Sequence, residues 1–412
     1  MSQQTSKAFL YWFILGIVIF FYGFESLLRS IPNAFAHANL KYGSHSGTPS
    51  DLANIITGNI KSYYYYSYVP LQLIAGPMVD RYGVRSVLLV STLLLFIGVA
   101  FSGFATPDQT YLIYAGRFLI GAGSAFAFVC VITTATHLVP NDINFASGLS
   151  SGVGLLFSSY VGLQLMELLS SIQSFFVLAL AISALILILI FCFVRIPQLP
   201  EQEIQTWSAI IKGYLQLFKS LNLWLIGIIG AVLFLPIILF TEYGNTLIPN
   251  LFTFTGSEAE MKSFITLIAT TLSVGFIVGS PLVGWMSKSP HKSRILLTFG
   301  SLASCIIVSF LTFHFVSGTF LQAFMVFVLG LCISAEILVF PLASSTVSRG
   351  LTGSAVACVN FFVMIPGMLG KFIQTRVGDD SFILILPIFL LIVFLLSFFI
   401  KLKQDENNVT TS

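Results

Sequence analysis

The sequence predicts an all-α integral membrane protein, with twelve transmembrane helices in two pseudo-symmetric six-helix bundles around a central cavity. Three observations predict it. The first is composition: 56% of the 412 residues are hydrophobic and 8% are charged, where a soluble domain carries about 25% charged residues. That leaves too little polar surface to cover a water-soluble globule, which excludes a soluble enzyme, a nucleic-acid binder and a disordered scaffold. The second is pattern. Apolar runs lie near 9–35, 54–79, 86–104, 109–137, 143–169, 174–195, 221–249, 263–287, 293–315, 319–343, 354–377 and 381–401, each close to the ~20 residues that cross the hydrocarbon as a helix. Their continuity excludes a β-barrel, whose strands alternate in segments of about 10 residues. The third is an internal repeat relating the first six runs to the last six.

Run one continues past Trp12 without a small-residue cleavage site, so it is expected to remain as a helix and serve as its own targeting signal. Runs one, five and eleven carry polar residues and have the least sharp ends. Between runs six and seven, residues 196–220 form the longest polar interruption, with Glu201, Glu203, Lys212 and Lys219. The expected domains are therefore an N-terminal bundle over 1–196, a cytoplasmic linker over 197–220, and a C-terminal bundle with a short tail over 221–412. Within the linker, Trp207 to Phe218 places apolar residues at helical spacing, which suits an amphipathic surface helix as well as a plain linker.

Orientation follows from the basic residues. With the N-terminus, the even-numbered loops and the C-terminus placed in the cytoplasm, that side holds 12 of the 19 Lys and Arg, against Lys41, Lys262 and Arg376 opposite. Positive charge concentrates inside, so both termini are expected to be cytoplasmic. Cys130, Cys192, Cys305, Cys332 and Cys358 all lie in apolar runs without metal or redox spacing. They read as small core residues, and neither a metal nor a cofactor is expected.

The repeat can be read position by position. Glu25 with Ile31-Pro32-Asn33 and Phe35 matches Glu242 with Ile248-Pro249-Asn250 and Phe252, 217 residues on. Gly76 matches Gly284 at an offset of 208, Gly121 matches Gly330 at 209, and Gly162 matches Gly370 at 208. A longer first loop, 36–52, accounts for the drop. An even number of helices per repeat leaves both halves in the same orientation, related by an axis along the membrane normal.

After run two the chain reads Gly76-Pro77-Met78-Val79-Asp80-Arg81-Tyr82-Gly83-Val84-Arg85. This resembles the G-x-x-x-D-R-x-G-x-R signature of the major facilitator superfamily, at the turn where that family carries it. Its chemistry suits a conformational latch made of Gly76, Asp80, Arg81, Gly83 and Arg85. Gly76 removes a side chain so that another helix can approach, and Asp80 offers a carboxylate to the orphan amides of a helix N-terminus. The resemblance implies that this helix is run eleven, starting near Thr352 to Ser354. The matching turn in the second half, Gly284-Trp285-Met286-Ser287-Lys288, has lost the acid. Arg117, followed by Gly121 and Gly123, resembles the family's second motif, an arginine linked with proton coupling. The family's antiporter motif, Gly-Pro-x-x-Gly-Gly, is absent from run five, which reads Ser147-Gly148-Leu149-Ser150-Ser151-Gly152.

Charges near mid-bilayer are costly and are usually paired or functional. Glu25 and Arg29 stand four apart on one helix face and are expected to pair. The pair is either a neutral anchor for run one or a cavity lining that exchanges its partner for a proton or a substrate group. Glu242 has no basic residue at i±3 or i±4, so it suits proton uptake, and Glu336 is isolated in the same way. Lys61 either lines the cavity or snorkels to the surface. In Tyr63-Tyr64-Tyr65-Tyr66 four consecutive rings cover every helix face, so most of them pack or anchor. Tyr64 shares a face with Tyr68 and is the candidate, and Asn360 is the polar candidate in run eleven. The expected substrate and proton-coupling set is thus Glu25, Arg29, Lys61, Tyr64, Arg117, Glu242, Glu336 and Asn360.

Two stretches, Leu235-Pro236 through Phe240-Thr241-Glu242-Tyr243-Gly244 and the Tyr-rich stretch ending Pro70-Leu71-Gln72, resemble bacterial phagosomal-type facilitators. That resemblance implies import of amino acids or related nutrients, with Arg29 on a substrate carboxylate and Glu242 or Glu25 facing the ammonium or carrying the proton. The expected function is proton-coupled import of a small polar metabolite by a monomer in a bacterial inner membrane. Its partners would be the substrate and lipid, not nucleic acid. The rivals are an exporter of a drug or siderophore, which would carry the missing run-five motif, and an intramembrane enzyme, whose catalytic groups are not visible.

Overall fold

The predicted apolar runs fall on helices in the computed structural model, which describes residues 2–37, 50–106, 109–169, 171–196, 206–242, 244–252, 254, 256–377 and 379–402. The side chains of 2–6, 33–37, 50–59, 61, 242, 245–246, 367–377 and 379–383 lie outside that description. Run one is α1 (Ser2–His37), and runs two and three form α2 (Ser50–Phe104), interrupted at Gly83. Run four is α3 (Thr110–Ser124) and α4 (Ala127–Leu138). Run five is α5 (Ile143–Leu156), a π-helical turn (Phe157–Val161) and α6 (Gly162–Leu169), and run six is α7 (Ile172–Phe193). The linker holds α8 (Trp207–Leu217), and run seven comprises α9 (Leu221–Glu242) and α10 (Gly244–Leu251). Runs eight and nine are α11 (Glu258–Met286) and α12 (Pro290–Thr312). Run ten is α13 (Thr319–Ile333), a 3₁₀ turn (Ser334–Leu338) and α14 (Val339–Ser345), followed by α15 (Thr352–Val377) and α16 (Asp379–Ser397).

Among the described residues ten stretches are long and apolar enough to cross a bilayer. Two of the twelve runs merge into Ser62–Phe104, and the last contributes the shorter Leu384–Ser397. Several helix starts are written locally. Ser257 opens α11 with a capping box, its amide donating to Glu260 Oε2 at 2.7 Å and its Oγ accepting from the Glu260 amide. Ser289 caps α12 through the Lys292 amide, with Pro290 at the first position, where a missing N–H costs nothing.

The chain divides into two compact units, Met1–Lys212 and Gly213–Ser412, and the division falls inside α8. In the first unit, α1 buries Leu15, Val18, Phe21 and Leu28, and α4 is wholly internal at Val129, Cys130, Val131 and Ile132. Outward-facing side chains such as Phe9, Phe101 and Phe191 are exposed, an apolar surface that only lipid would cover. Cys192 belongs to that outward surface and Cys305 and Cys332 are half-buried, so of the five cysteines only Cys130 and Cys358 are core residues. A helix facing lipid is apolar on both sides, so composition alone could not sort them.

The repeat recurs as contacts. A Cβ at Gly121 of α3 would run into the Tyr64 carbonyl of α2, and one at Gly330 of α13 into the Leu272 carbonyl of α11. Each pair lies about 208 residues from its counterpart. A Cβ at Gly123 would run into the Ser91 carbonyl, and one at Gly300 would lie 2.7 Å from the Cys332 carbonyl. These are the same two repeat positions with the glycine moved to the other helix. One small residue per crossing suffices for backbones to meet where lipid supplies no hydrophobic drive. The break after Ser124 is likewise repeated after Ile333.

The signature turn takes its shape from Gly83, whose φ of 76° and ψ of 156° end one helix and start the next. Nothing lies within 4 Å of a Cβ built there, so the requirement is conformational, not one of space. Arg85 Nη2 donates to the Phe191 carbonyl at 2.8 Å, with its guanidinium 5.7 Å from the Phe191 ring. The start of the second half of α2 is thereby stapled to the end of α7. Gly76 is buried, and Asp80 and Arg81 are half-buried.

Candidate functional site: a buried polar cluster in the first unit

α1, α2 and α3 bring together Glu25, Arg29, Tyr64 and Arg117. Glu25 is 0% exposed, and its two oxygens accept from the Tyr64 hydroxyl and the Ser26 hydroxyl, each at 3.2 Å. Tyr64 can reach it because Gly121 lets α3 abut the α2 backbone at Tyr64 itself. One turn on, Ser67 Oγ donates across the crossing to the Phe118 carbonyl at 2.6 Å. The Tyr64 ring is held between the Arg117 guanidinium, 5.2 Å from its centroid, and the nearly parallel ring of Tyr68 at 5.3 Å. Such cation–π contacts strengthen when desolvated.

Tyr64 and Tyr68 are both buried, as a shared face requires, whereas Tyr66 is exposed and Tyr63 stacks flat on Tyr114 at 4.5 Å. One ring of the tyrosine run therefore joins the carboxylate and the others pack.

The expected Glu25–Arg29 ion pair does not form: among the described residues no contact within 4.0 Å joins them. Two hydroxyls hold the carboxylate on the inner side, while Arg29, half-buried one turn later, keeps its guanidinium apart. Its charge still acts on Glu25 and on the rings of Tyr64, Tyr68 and Tyr22. No hydrogen bond runs from that guanidinium to a described residue. Arg117 is the opposite case. Its Nη1, Nη2 and Nε donate to the carbonyls of Leu28 (2.7 Å), Arg29 (3.3 Å) and Ile60 (3.3 Å). One arginine is engaged by backbone, and the other makes no hydrogen bond to a described residue.

Two further predicted residues lie in the second unit. Glu336 is 3% exposed within the 3₁₀ turn, and among the described residues no hydrogen bond or ion pair reaches its carboxylate. Asn360 is buried in α15. Lys61 and Glu242 have helical backbones, but their side chains lie outside the described residues.

Sequence reasoning missed Ser26 and Ser67, the hydroxyls that complete the cluster. It also missed the π-helical turn opposite Tyr22 and Gly23. There the Tyr22 ring lies over Gly154, and Val153 and Phe157 lie against Gly23. Such turns recur at functional sites. The legible signal was the small residues themselves, Ser67 against Gly121, and Gly23 and Gly154 each leaving room for a neighbouring ring.

A buried carboxylate, two arginines and phenols inside bundles with an apolar exterior define a membrane-spanning protein with a buried polar cluster. The Major Facilitator Superfamily model matches residues 8–371. The chain belongs to that superfamily: it is a multi-pass membrane transporter, not an enzyme. Over 95% of this chain and all of the other, the fold is similar to that of the E. coli fucose:proton symporter FucP, with a TM-score of 0.69 and 15% identity. It is also similar to the proton:xylose symporter XylE, over 97% of each chain, with a TM-score of 0.68 and 13% identity. Identities this low carry the fold alone. The probable sulfoacetate transporter SauU of Cupriavidus necator is 29% identical over 94 residues, 23% of this chain and 21% of that protein. The chain thus matches about a fifth of that relative's length.

Proposed function

We propose that this protein is a proton-coupled importer of a small polar metabolite carrying an anionic group, an amino acid or related nutrient, working by alternating access. The observation that carries the reading is the Arg29 guanidinium, which donates to no described residue, beside the buried carboxylate of Glu25. Arginine presents a planar fork of donors suited to a carboxylate or similar oxyanion. With Glu25 ionised its charge offsets that of Arg29, while Arg117 is held by backbone carbonyls; once Glu25 takes a proton, Arg29 is left with a positive charge that an anionic substrate neutralises. Proton and anion then load together and leave together, which avoids an unbalanced charge at bilayer depth.

Lys61, Glu242, Glu336 and Asn360 complete the proposed set, and Arg117 supports it. The turn formed by Gly76, Asp80, Arg81, Gly83 and Arg85 acts as the conformational latch. FucP and XylE are proton symporters and SauU is a probable transporter of sulfoacetate, an organic anion, which supports the coupling and the charge of the substrate. The nutrient reading rests on the resemblance to phagosomal-type facilitators. The protein acts as a monomer with both termini cytoplasmic, needing the proton gradient and no cofactor.

A thermal-shift screen of amino acids, nucleosides, sugars and organic acids identifies the substrate, because a ligand of the folded form raises the melting temperature. In proteoliposomes acidified outside, Arg29→Ala is expected to abolish uptake of that substrate. Glu25→Gln is expected to lose proton-driven accumulation while retaining exchange. Normal transport by both variants would remove the reading.

A further inference from the structure

We propose that Arg117 is a positioning residue. It supplies the hydrogen bond that Pro32 takes away from α1, and so holds the turn that carries Glu25 and Arg29. In an α-helix the carbonyl of residue i accepts from the amide of i+4. The partner of the Leu28 carbonyl is therefore residue 32, a proline with no N–H, whose ring also crowds that carbonyl. α1 nevertheless stays helical through Ser2–His37, and Leu28 is 0% exposed, so bulk water cannot replace the lost donor. The group placed there is Arg117. Its contact with the Leu28 carbonyl, at 2.7 Å, is shorter than those with the Arg29 and Ile60 carbonyls, each at 3.3 Å. The carbonyls of Arg29 and Ile60 face Asn33 and Tyr64 four residues on, neither a proline.

The placement has consequences for the cluster. Leu28 is the residue before Arg29 and three after Glu25, so a guanidinium fixed on its carbonyl sets the height and rotation of both side chains. The same guanidinium lies against the face of Tyr64, which donates to Glu25. One buried cation thereby registers α1 against α2 and α3. The second half keeps the proline, as Pro249, but has the buried Val326 where the first half has Arg117, 209 residues earlier. The clamp belongs to the half that holds the Glu25 cluster.

The inference rests on the proposed transport site for its functional consequence, though not for the clamp itself, and two readouts separate them. The variants are Pro32→Ala, Arg117→Met and the pair together. Pro32→Ala restores an amide to Leu28 and should make Arg117 dispensable. In melting temperature, which needs no substrate, Arg117→Met alone is expected to fall by several degrees, and the paired variant to return near Pro32→Ala. In uptake, Arg117→Met is expected to raise KM for the anionic substrate about tenfold or more through misplacement of Arg29. The paired variant is expected to recover to within about threefold of Pro32→Ala.

If Arg117→Met does not fold alone, the comparison of Pro32→Ala with the paired variant decides. A paired variant that is unfolded, or as impaired as Arg117→Met, overturns the proposal. Recovery in melting temperature without recovery in KM keeps the clamp and removes the transport reading around Arg29.

Discussion

Replacing Gly121 with alanine tests how the cluster is assembled without touching any of its polar atoms. A Cβ at this position would run into the Tyr64 carbonyl, lie 2.5 Å from Ser67 Oγ and 3.0 Å from the Tyr64 carbonyl carbon. To restore ordinary contact near 3.4 Å, α2 and α3 must part by about 1 Å. Overpacking of this kind costs about 1–3 kcal/mol, which in a unit of this size lowers the melting temperature by about 2–10 °C. The separation also opens the 2.6 Å bond from Ser67 to the Phe118 carbonyl and draws Tyr64 away from Glu25. Uptake should therefore fall more than stability does.

Thermal unfolding in detergent and uptake in proteoliposomes measure the two effects. Gly330→Ala is the repeat control: its Cβ would meet the Leu272 carbonyl, so it should lose similar stability while leaving the Glu25 cluster intact. Gly16→Ala, with nothing within 4 Å, should be neutral or stabilise by about 0.4–1 kcal/mol. A Gly121→Ala protein that melts and transports like the parent would refute the reasoning, because the crossing would then have slack the coordinates do not show.

Gly83→Ala is expected to destabilise by about 1–2 kcal/mol through its positive φ alone, since no atom stands where the methyl would go; a parental melting temperature would contradict this. Tyr64→Phe should lower uptake severalfold by removing the donor to Glu25. Tyr63→Phe, whose ring stacks on Tyr114, should not, and equal effects on uptake would sink the distinction. Glu336→Gln keeps the side chain's shape and removes a buried charge that meets no partner among the described residues. It should fold with equal or higher thermal stability at pH 8, because a buried unpaired charge is costly, and a marked loss would show an unseen partner.

The helices were legible because they answer to one local rule. A stretch of about 20 apolar residues has to be helical in lipid to satisfy its own backbone, and no partner elsewhere in the chain changes that. The repeat was legible for a related reason. Gly121 and Gly330, and the two prolines Pro32 and Pro249, mark backbone requirements that survive when other residues drift. Gly83 was visible within its motif, although its positive φ was not. The breaks inside runs were less legible: run four splits after Ser124, and run five carries a π-helical turn. The π-helical turn begins at Phe157, which lies against Gly23 of α1, a neighbour that the sequence of run five does not contain.

Which polar groups meet was a different kind of question. Spacing along α1 put Glu25 and Arg29 on one face, but the hydroxyl of Tyr64, 39 residues away, won the carboxylate. A motif suggested that Arg117 handles protons, yet it donates at 2.7 Å to a carbonyl left bare by a proline 85 positions earlier. The sequence by itself determined that the chain is a bilayer-spanning helical duplication with a few costly charges, because burial in lipid is a property of composition and length. Only the tertiary structure decided that Arg117 is bonded to backbone carbonyls while Arg29 donates to no described residue, because a hydrogen bond depends on a few ångströms between helices that the sequence keeps far apart.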